Sequence, residues 1–244
     1  MKSLKSTAKA LTEMMDAVKD YVFPDYSDQS ADNAPERIQR SLSPLAGEDA
    51  AKEFIDTLPE LRRLLNTDVE AIEANDPAAS GPKEIIFCYP AVKAILYYRA
   101  AHRLWAMKVP ILPRMLTEYA HSVTGIDIHP GAVIGEYFAI DHGTGTVIGE
   151  TTIIGNHVTL YQGVTLGAKN FVYDETGRPR NVARHPIIED NVTVYSNASL
   201  LGRITIGSGS IIGGNVWLTH SVPPQSRILQ SPSRELFFSE GEGI

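Results

Sequence analysis

The apolar positions change their period part-way along the chain. Leu11, Met14, Met15, Val18 and Val22 recur at spacings of three and four, and Phe54, Leu58, Leu61, Leu64 and Leu65 do the same. Residues so spaced share one face of a 3.6-residue turn, so both runs predict amphipathic helices on a common core. A third helix is expected from about Tyr89 to Trp105, with Ile95, Leu96, Tyr98 and Leu104 among its apolar residues. Asn75-Asp-Pro77 and Ser80-Gly-Pro82 are breaker sequences and separate the last two helices.

From Ile128 the period becomes six. Aliphatic residues stand at Ile128, Ile134 and Ile140, and after one longer step at Ile148, Ile154, Leu160 and Leu166. After a polar interruption the series resumes at Ile188, Val194, Leu200, Ile206, Ile212 and Leu218. Neither a helix nor an alternating strand repeats every six residues, but a triangular parallel β-helix does. Each hexad supplies one flat face and a corner, and the aliphatic residue points inward. Gly135, Asp141, Gly149, Gly155, Gly167, Glu189, Gly207 and Gly213 follow these positions, where a corner favours a small or turn-tolerant residue.

The expected organisation is therefore α+β. A helical domain spans 1–120, a parallel β-helix spans 121–228, and a tail runs from 229 to 244. The polar stretch 168–186, with Gly177 and Pro179 near its centre, should leave the solenoid as a long loop. Loops of that length in compact folds are commonly functional, and this one ends on Arg184-His185-Pro186.

Composition narrows the function classes. With 244 residues, 43% of them hydrophobic, the chain can bury a substantial core. A formal net charge of -7 argues against general binding to nucleic-acid phosphates. The single cysteine, Cys88, allows no intrachain disulfide and fits a reducing compartment. Glu13, Asp16, Lys19 and Asp20 interrupt the N-terminal apolar run, which reads as a helix rather than a leader. No stretch approaches the roughly 18 apolar residues of a membrane span. A cytoplasmic protein is expected.

Three polar clusters carry candidate chemistry: Asp127-Ile-His129-Pro130, Asp141-His142-Gly-Thr-Gly145 and Arg184-His185-Pro186. Asp127 and His142 lie a little under one coil apart, so their side chains can approach from adjacent coils. An imidazole backed by a carboxylate is a general base suited to taking the proton of a weakly nucleophilic hydroxyl. Cys88 lies in the helical half, so direct transfer is simpler than an acyl-enzyme. Arg184 suits a substrate carboxylate through a two-pronged pair. Asp141 or another acid suits an ammonium group.

The sequence resembles the serine acetyltransferase family. The resemblance rests on Asp127-Ile-His-Pro-Gly-Ala-Val-Ile-Gly135, on Ile140-Asp-His-Gly-Thr-Gly-Thr-Val-Ile-Gly-Glu-Thr151, on Val164-Thr-Leu-Gly167 and on Arg184-His-Pro186. Upstream it reaches Asn75-Asp-Pro-Ala78 and Tyr98-Arg-Ala-Ala-His-Arg-Leu-Trp105.

The resemblance implies a left-handed β-helix and transfer of acetyl from acetyl-CoA to L-serine, the step that opens cysteine biosynthesis. It implies that His142 is the base and Asp127 its partner. Asp76 and Asp141 would hold the serine amino and hydroxyl groups, Arg184 its carboxylate, and His185 would orient the substrate or share in proton transfer. Acetyl-CoA would lie along the later coils at Gly167, Ala168, Ser196 and Gly214, with no metal.

L-cysteine would inhibit at the serine site. The assembly would be a homotrimer or a dimer of trimers, and Ile244 at the C-terminus would dock O-acetylserine sulfhydrylase. Other readings are an O-acetyltransferase with a sugar acceptor, a zinc carbonic anhydrase using three of the seven histidines (His142, His185 and His157 as candidates), and a non-catalytic scaffold that docks through its tail.

Overall fold

A computed structural model describes residues 3–231. Helices α1 (Leu4–Val22), α2 (Ala34–Ala46), α3 (Glu48–Asp56), α4 (Leu58–Asn75), α5 (Pro82–Cys88), α6 (Pro90–Ala106) and α7 (Leu112–Thr124) precede the solenoid. The Ser3 hydroxyl caps α1 by accepting from the Ser6 N–H. The run from Phe54 to Leu65 is not one helix, as the spacing had predicted. Phe54 lies in the last turn of α3, Thr57 makes the corner, and Pro59 sits in the first turn of α4, where a missing N–H costs no intrahelical bond. The helical part also continues past the expected boundary at 120. It ends at Thr124, where Gly125 at φ +71° closes α7 in the left-handed conformation. Among the described residues, no helix is long and apolar enough to cross a membrane.

The period of six folds as three parallel sheets around a triangular prism. The first face stacks Asp127–Ile128, Val147–Ile148, Thr165–Gly167, Ser199–Leu201 and Trp217–Leu218. The second stacks Val133–Ile134, Ile153–Ile154, Ile187–Ile188 and Thr205–Ile206. The third stacks Ala139–Asp141, Thr159–Tyr161, Thr193–Val194, Ile211–Ile212 and Arg227–Ile228. Ile128 pairs with Ile148, Ile148 with Leu166, and Leu166 with Leu200, so the aliphatic positions form inward columns, all buried. A second inward row lies two residues before the first, at Ala132, Phe138, Val158, Val164, Val192, Ala198, Ile204 and Val216.

Ile154 pairs directly with Ile188. The stretch 168–186 is therefore an enlarged corner between the first and second faces and costs the solenoid no register. A bridge between Tyr173 and Pro179 closes its tip, and the Asp174 carboxylate accepts from the N–H groups of Thr176 and Arg178.

The helices are clamped to the first coil. Asp68 on α4 and Arg99 on α6 form a two-pronged ion pair of 2.5 and 2.7 Å with both side chains buried. Arg99 also donates to the Gly135 carbonyl at 2.8 Å, and Asp68 accepts the Phe138 N–H at 3.1 Å. The Tyr98 hydroxyl donates to the Ala132 carbonyl at 2.7 Å. This clasp sets where the end of α4 lies against the solenoid.

Candidate active site

The longer step between Ile140 and Ile148 builds the first half of the site. It enlarges the corner between the third and first faces into His142-Gly-Thr-Gly145, with φ of +56° at His142, +84° at Gly143 and +81° at Gly145. A Cβ at Gly143 would lie 2.5 Å from Ile126 Cδ1, so glycine is needed for the corner to lie on the coil below. The outcome is a histidine pushed out of the prism. The side chain of His142 is 74% exposed, and its Nδ1 lies 3.8 Å from Asp141 Oδ1.

Asp76 approaches from the C-terminal end of α4. Its carboxylate accepts from the Tyr89 hydroxyl and, at 2.8 Å, from the Ala78 N–H. The Tyr89 bond first, then the Ala78 bond and the nearby His142, hold Asp76 below the ordinary carboxylate range, while the same bond pushes the Tyr89 phenol up to about 12. Tyr161 stands over Asp141 in register and stacks on Tyr195 with centroids 4.9 Å apart. Burial and then the Asp141 charge raise its phenol, which stays protonated at neutral pH. Tyr89 and Tyr161 escaped the sequence reading because neither belongs to a motif, and only packing brings them here.

Asp127 and His142 share this corner but are not in hydrogen-bond contact. The Gly145 N–H donates to the Gly125 carbonyl at 2.8 Å, which seats the His142 corner on the start of Asp127's strand. The bulge nevertheless carries the ring outward, and the nearest carboxylate is Asp141. The expected Asp127–His142 pair is therefore not formed in this structure, although an exposed ring has room to change its rotamer.

The second half lies on a different edge, between the first and second faces. Arg184 donates to Glu150 at 2.7 Å, to the Asn181 side chain at 2.8 Å and to the Val182 carbonyl at 3.2 Å. Burial pushes Glu150 up, but the bonds from Asn181 and Arg184 outweigh it and leave the carboxyl below its ordinary value. His185 is buried against Gly149, where a Cβ would lie 2.1 Å from the ring. Burial first, then the Arg184 charge, lower its pKa to about 4. Sequence reasoning missed Glu150 as the partner of Arg184, although it stands inside the quoted Gly149-Glu-Thr151 run.

A pH dependence of stability follows. His185, His129 and His102 are all held neutral chiefly by burial, with pKa values below the histidine reference. An unfolded histidine takes its proton near pH 6.5, so the unfolded chain binds more protons between there and about 4. The melting temperature should fall as pH drops through that window, and His185→Asn should flatten the slope. An unchanged slope in that variant would remove His185 from the account.

In one chain the two halves do not meet. His142, Asp141 and Asp76 occupy one edge of the prism, and Arg184 and His185 another. The expected acetyl-CoA residues divide the same way. Ser196 and Gly214 stack on the His142 edge, with the Ser196 carbonyl 3.2 Å from where a Gly214 Cβ would lie. Gly167 and Ala168 stand where the chain leaves for the enlarged corner. Ile244 falls outside the described residues. Among the described residues, no group of three His, Cys, Asp or Glu side chains is placed to hold a metal ion.

The family model for the bacterial transferase hexapeptide (six repeats) matches residues 185–220. A plasmid serine acetyltransferase of Synechococcus elongatus is 55% identical over 211 residues, which cover 86% of this chain and 66% of that protein. The serine acetyltransferase of Bacillus subtilis is 43% identical over 172 residues, covering 70% of this chain and 76% of that one. The chain belongs to the serine acetyltransferase family.

The fold agrees with that membership. Serine acetyltransferase isoform 3 of Entamoeba histolytica, solved in complex with cysteine, superposes with a TM-score of 0.80 at 35% identity, covering 93% of this chain and 84% of that one. The Neisseria gonorrhoeae enzyme in complex with serine gives 0.69 at 28%, covering 91% and 83%. The Brucella abortus enzyme in complex with coenzyme A gives 0.68 at 26%, covering 96% and 82%. The solenoid is thus the left-handed hexapeptide-repeat β-helix of the serine acetyltransferases, preceded by their helical region.

Proposed function

We propose that this chain is a serine O-acetyltransferase that passes acetyl directly from acetyl-CoA to the hydroxyl of L-serine, giving O-acetyl-L-serine and CoA, with His142 as general base. The observation that carries the reading is the outward imidazole of His142, 3.8 Å from the Asp141 carboxylate and near enough to Asp76 to help hold its carboxyl ionised. Two anions beside a base suit an amino acid whose ammonium must be held while its hydroxyl loses a proton. A sugar acceptor would need neither carboxylate.

The ring of His142 takes the hydroxyl proton as the oxygen attacks the thioester carbonyl. The imidazolium that forms is stabilised by Asp141 and, after a rotamer change, by Asp127. Arg184 receives the serine carboxylate. Its bonds to Glu150, Asn181 and Val182 leave Nε–H and one Nη2–H without a partner among the described residues. The proton gained by His142 passes to the departing CoA thiolate, so no acyl-enzyme is needed.

The site is completed between copies. The Arg184 edge of one chain must face the His142 edge of another, as a closed three-fold assembly allows. Exposed Val133 and Ile153 form an apolar stripe on the second face, beside the Arg184 edge, and fit such a contact. L-cysteine has serine's amino and carboxylate groups and differs only in carrying a thiol, so it should compete for the same place. Docking of O-acetylserine sulfhydrylase by Ile244 remains part of the proposal on sequence grounds.

Thiol release from acetyl-CoA, measured with and without L-serine, tests the reading, and serine-independent release or a preference for sugars would overturn it. Arg184→Ala should raise the serine KM by about 10–100-fold, the value of a charged hydrogen-bonded pair, and leave the acetyl-CoA KM unchanged. An equal loss for both substrates would remove Arg184 from the carboxylate role.

A further inference from the structure

The hydrogen bonds around Thr151 determine which nitrogen of His185 carries the proton. The Thr151 N–H donates to His185 Nδ1 at 3.1 Å, and a backbone amide can only donate. Nδ1 must therefore present a lone pair. The Thr151 hydroxyl lies 2.9 Å from the same nitrogen. That hydroxyl accepts from two backbone amides, Arg184 N–H at 2.9 Å and His185 N–H at 3.1 Å. Both of its lone pairs are thereby used, and its single hydrogen remains for Nδ1. The single lone pair of Nδ1 is shared by the amide and the hydroxyl, and because the amide can only donate, the neutral ring carries its proton on Nε2.

The surroundings preserve that arrangement. Gly149 leaves space for the Nε2 edge of the ring, since a Cβ there would lie 2.2 Å from Nε2. Arg203 reaches across from the next coil and donates to the carbonyls of Thr151 at 2.7 Å and of His185 at 3.0 Å, tying the two residues together. The charged and titratable groups facing the ring are Arg184, Glu150, His129 and Arg203. Two are cations and one is an anion, so the field adds to burial in opposing a second proton. Among the described residues Nε2–H meets no acceptor and is available to a ligand.

We infer that Thr151 is a positioning residue that fixes His185 as a neutral Nε2–H donor and sets the backbone of Arg184, so that His185 acts on bound substrate by donating a hydrogen bond and not by accepting a proton. This rests on the acetyltransferase reading for the identity of the substrate, but not for the state of the ring. It divides the labour between two imidazoles. His142 moves the proton, while His185 is held in one tautomer and supplies a fixed dipole to an acceptor oxygen of the substrate, a use of neutral imidazole with precedent elsewhere.

Long-range 1H–15N correlation spectra of the resting protein, with His185 assigned by its absence in His185→Asn, test the inference directly. The expected pattern is an unprotonated Nδ1 and a protonated Nε2, unchanged from pH 6 to 8. A protonated Nδ1, or a ring that gains a second proton in that range, would overturn it. Thr151→Val keeps the amide and the shape but removes the hydroxyl. The amide alone still keeps Nδ1 unprotonated, but the Arg184 and His185 N–H groups lose their shared acceptor, so the variant should shift the His185 ring resonances, raise the serine KM and lower kcat by about tenfold together, and leave the acetyl-CoA KM in place. Thr151→Ser should restore both the spectrum and the rates. If Thr151→Val matches the parent protein in spectrum and kinetics, Thr151 has no positioning role. The spectra need no substrate, so a protein that releases no thiol with serine would sink the acetyltransferase reading and leave the tautomer result standing.

Discussion

Replacing His142 is expected to lower turnover by about 10²–10⁴-fold, the range set by losing a general base, with little change in either KM. Alanine at φ +56° would also strain the corner, whereas asparagine tolerates that conformation. His142→Asn therefore separates lost chemistry from a displaced backbone. If both variants keep full serine-dependent thiol release, the base lies elsewhere.

The division of the site between two edges sharpens this test. A His142→Asn chain retains a sound Arg184 edge, and an Arg184→Ala chain retains a sound His142 edge. If each site takes one edge from each of two copies, co-assembly at equal amounts should return about a quarter of the sites to full function in a closed ring. Assayed at serine below the parent KM, where both variants are weak, the mixture should then be strongly active. A mixture no better than the mean of its parts would mean that the two edges serve separate purposes.

The second large effect concerns stability. Arg99→Ala should cost about 3–5 kcal/mol, because it leaves the Asp68 carboxylate buried without its cation. Burial already raises the Asp68 pKa, and Arg99 is the main influence opposing that rise. In the variant the folded pKa climbs further. A carboxyl with a raised folded pKa favours the folded state when protonated and loses that advantage as pH rises through the folded value. The deficit relative to the parent should therefore be largest at neutral pH and narrow on acidification, as read by denaturant unfolding of both proteins at pH 7 and pH 5. A deficit independent of pH would mean that lost packing, not an orphaned charge, sets the cost. The same variant should weaken serine-dependent activity before global unfolding, since this pair fixes the end of α4, where Asp76 lies.

Much of this architecture was legible in the chain. A period of six has one common structural solution, and every aliphatic position it marked is buried in the prism. The longer step at Ile140–Ile148 marked the corner that displays His142, and the polar stretch before Arg184 marked the enlarged corner. The helical half was harder. Three-and-four spacing ran straight through Thr57, because periodicity continues across a sharp corner when both helices face the same core. Short α5 and the final turns of α7 gave no signal strong enough to set a boundary.

The sequence by itself determined the repeat, the corner residues and the types of side chain available for chemistry, because these are encoded by residues near one another along the chain. Only the tertiary structure decided how they combine. It brought Asp76 and Tyr89 to His142 through a clasp made by Asp68 and Arg99. It set His185 against Thr151 across one coil, and it placed the Arg184–His185 pair on a different edge from His142. Such relations depend on how coils stack and how helices dock, where a side chain's neighbours lie far away in sequence and no local pattern records them.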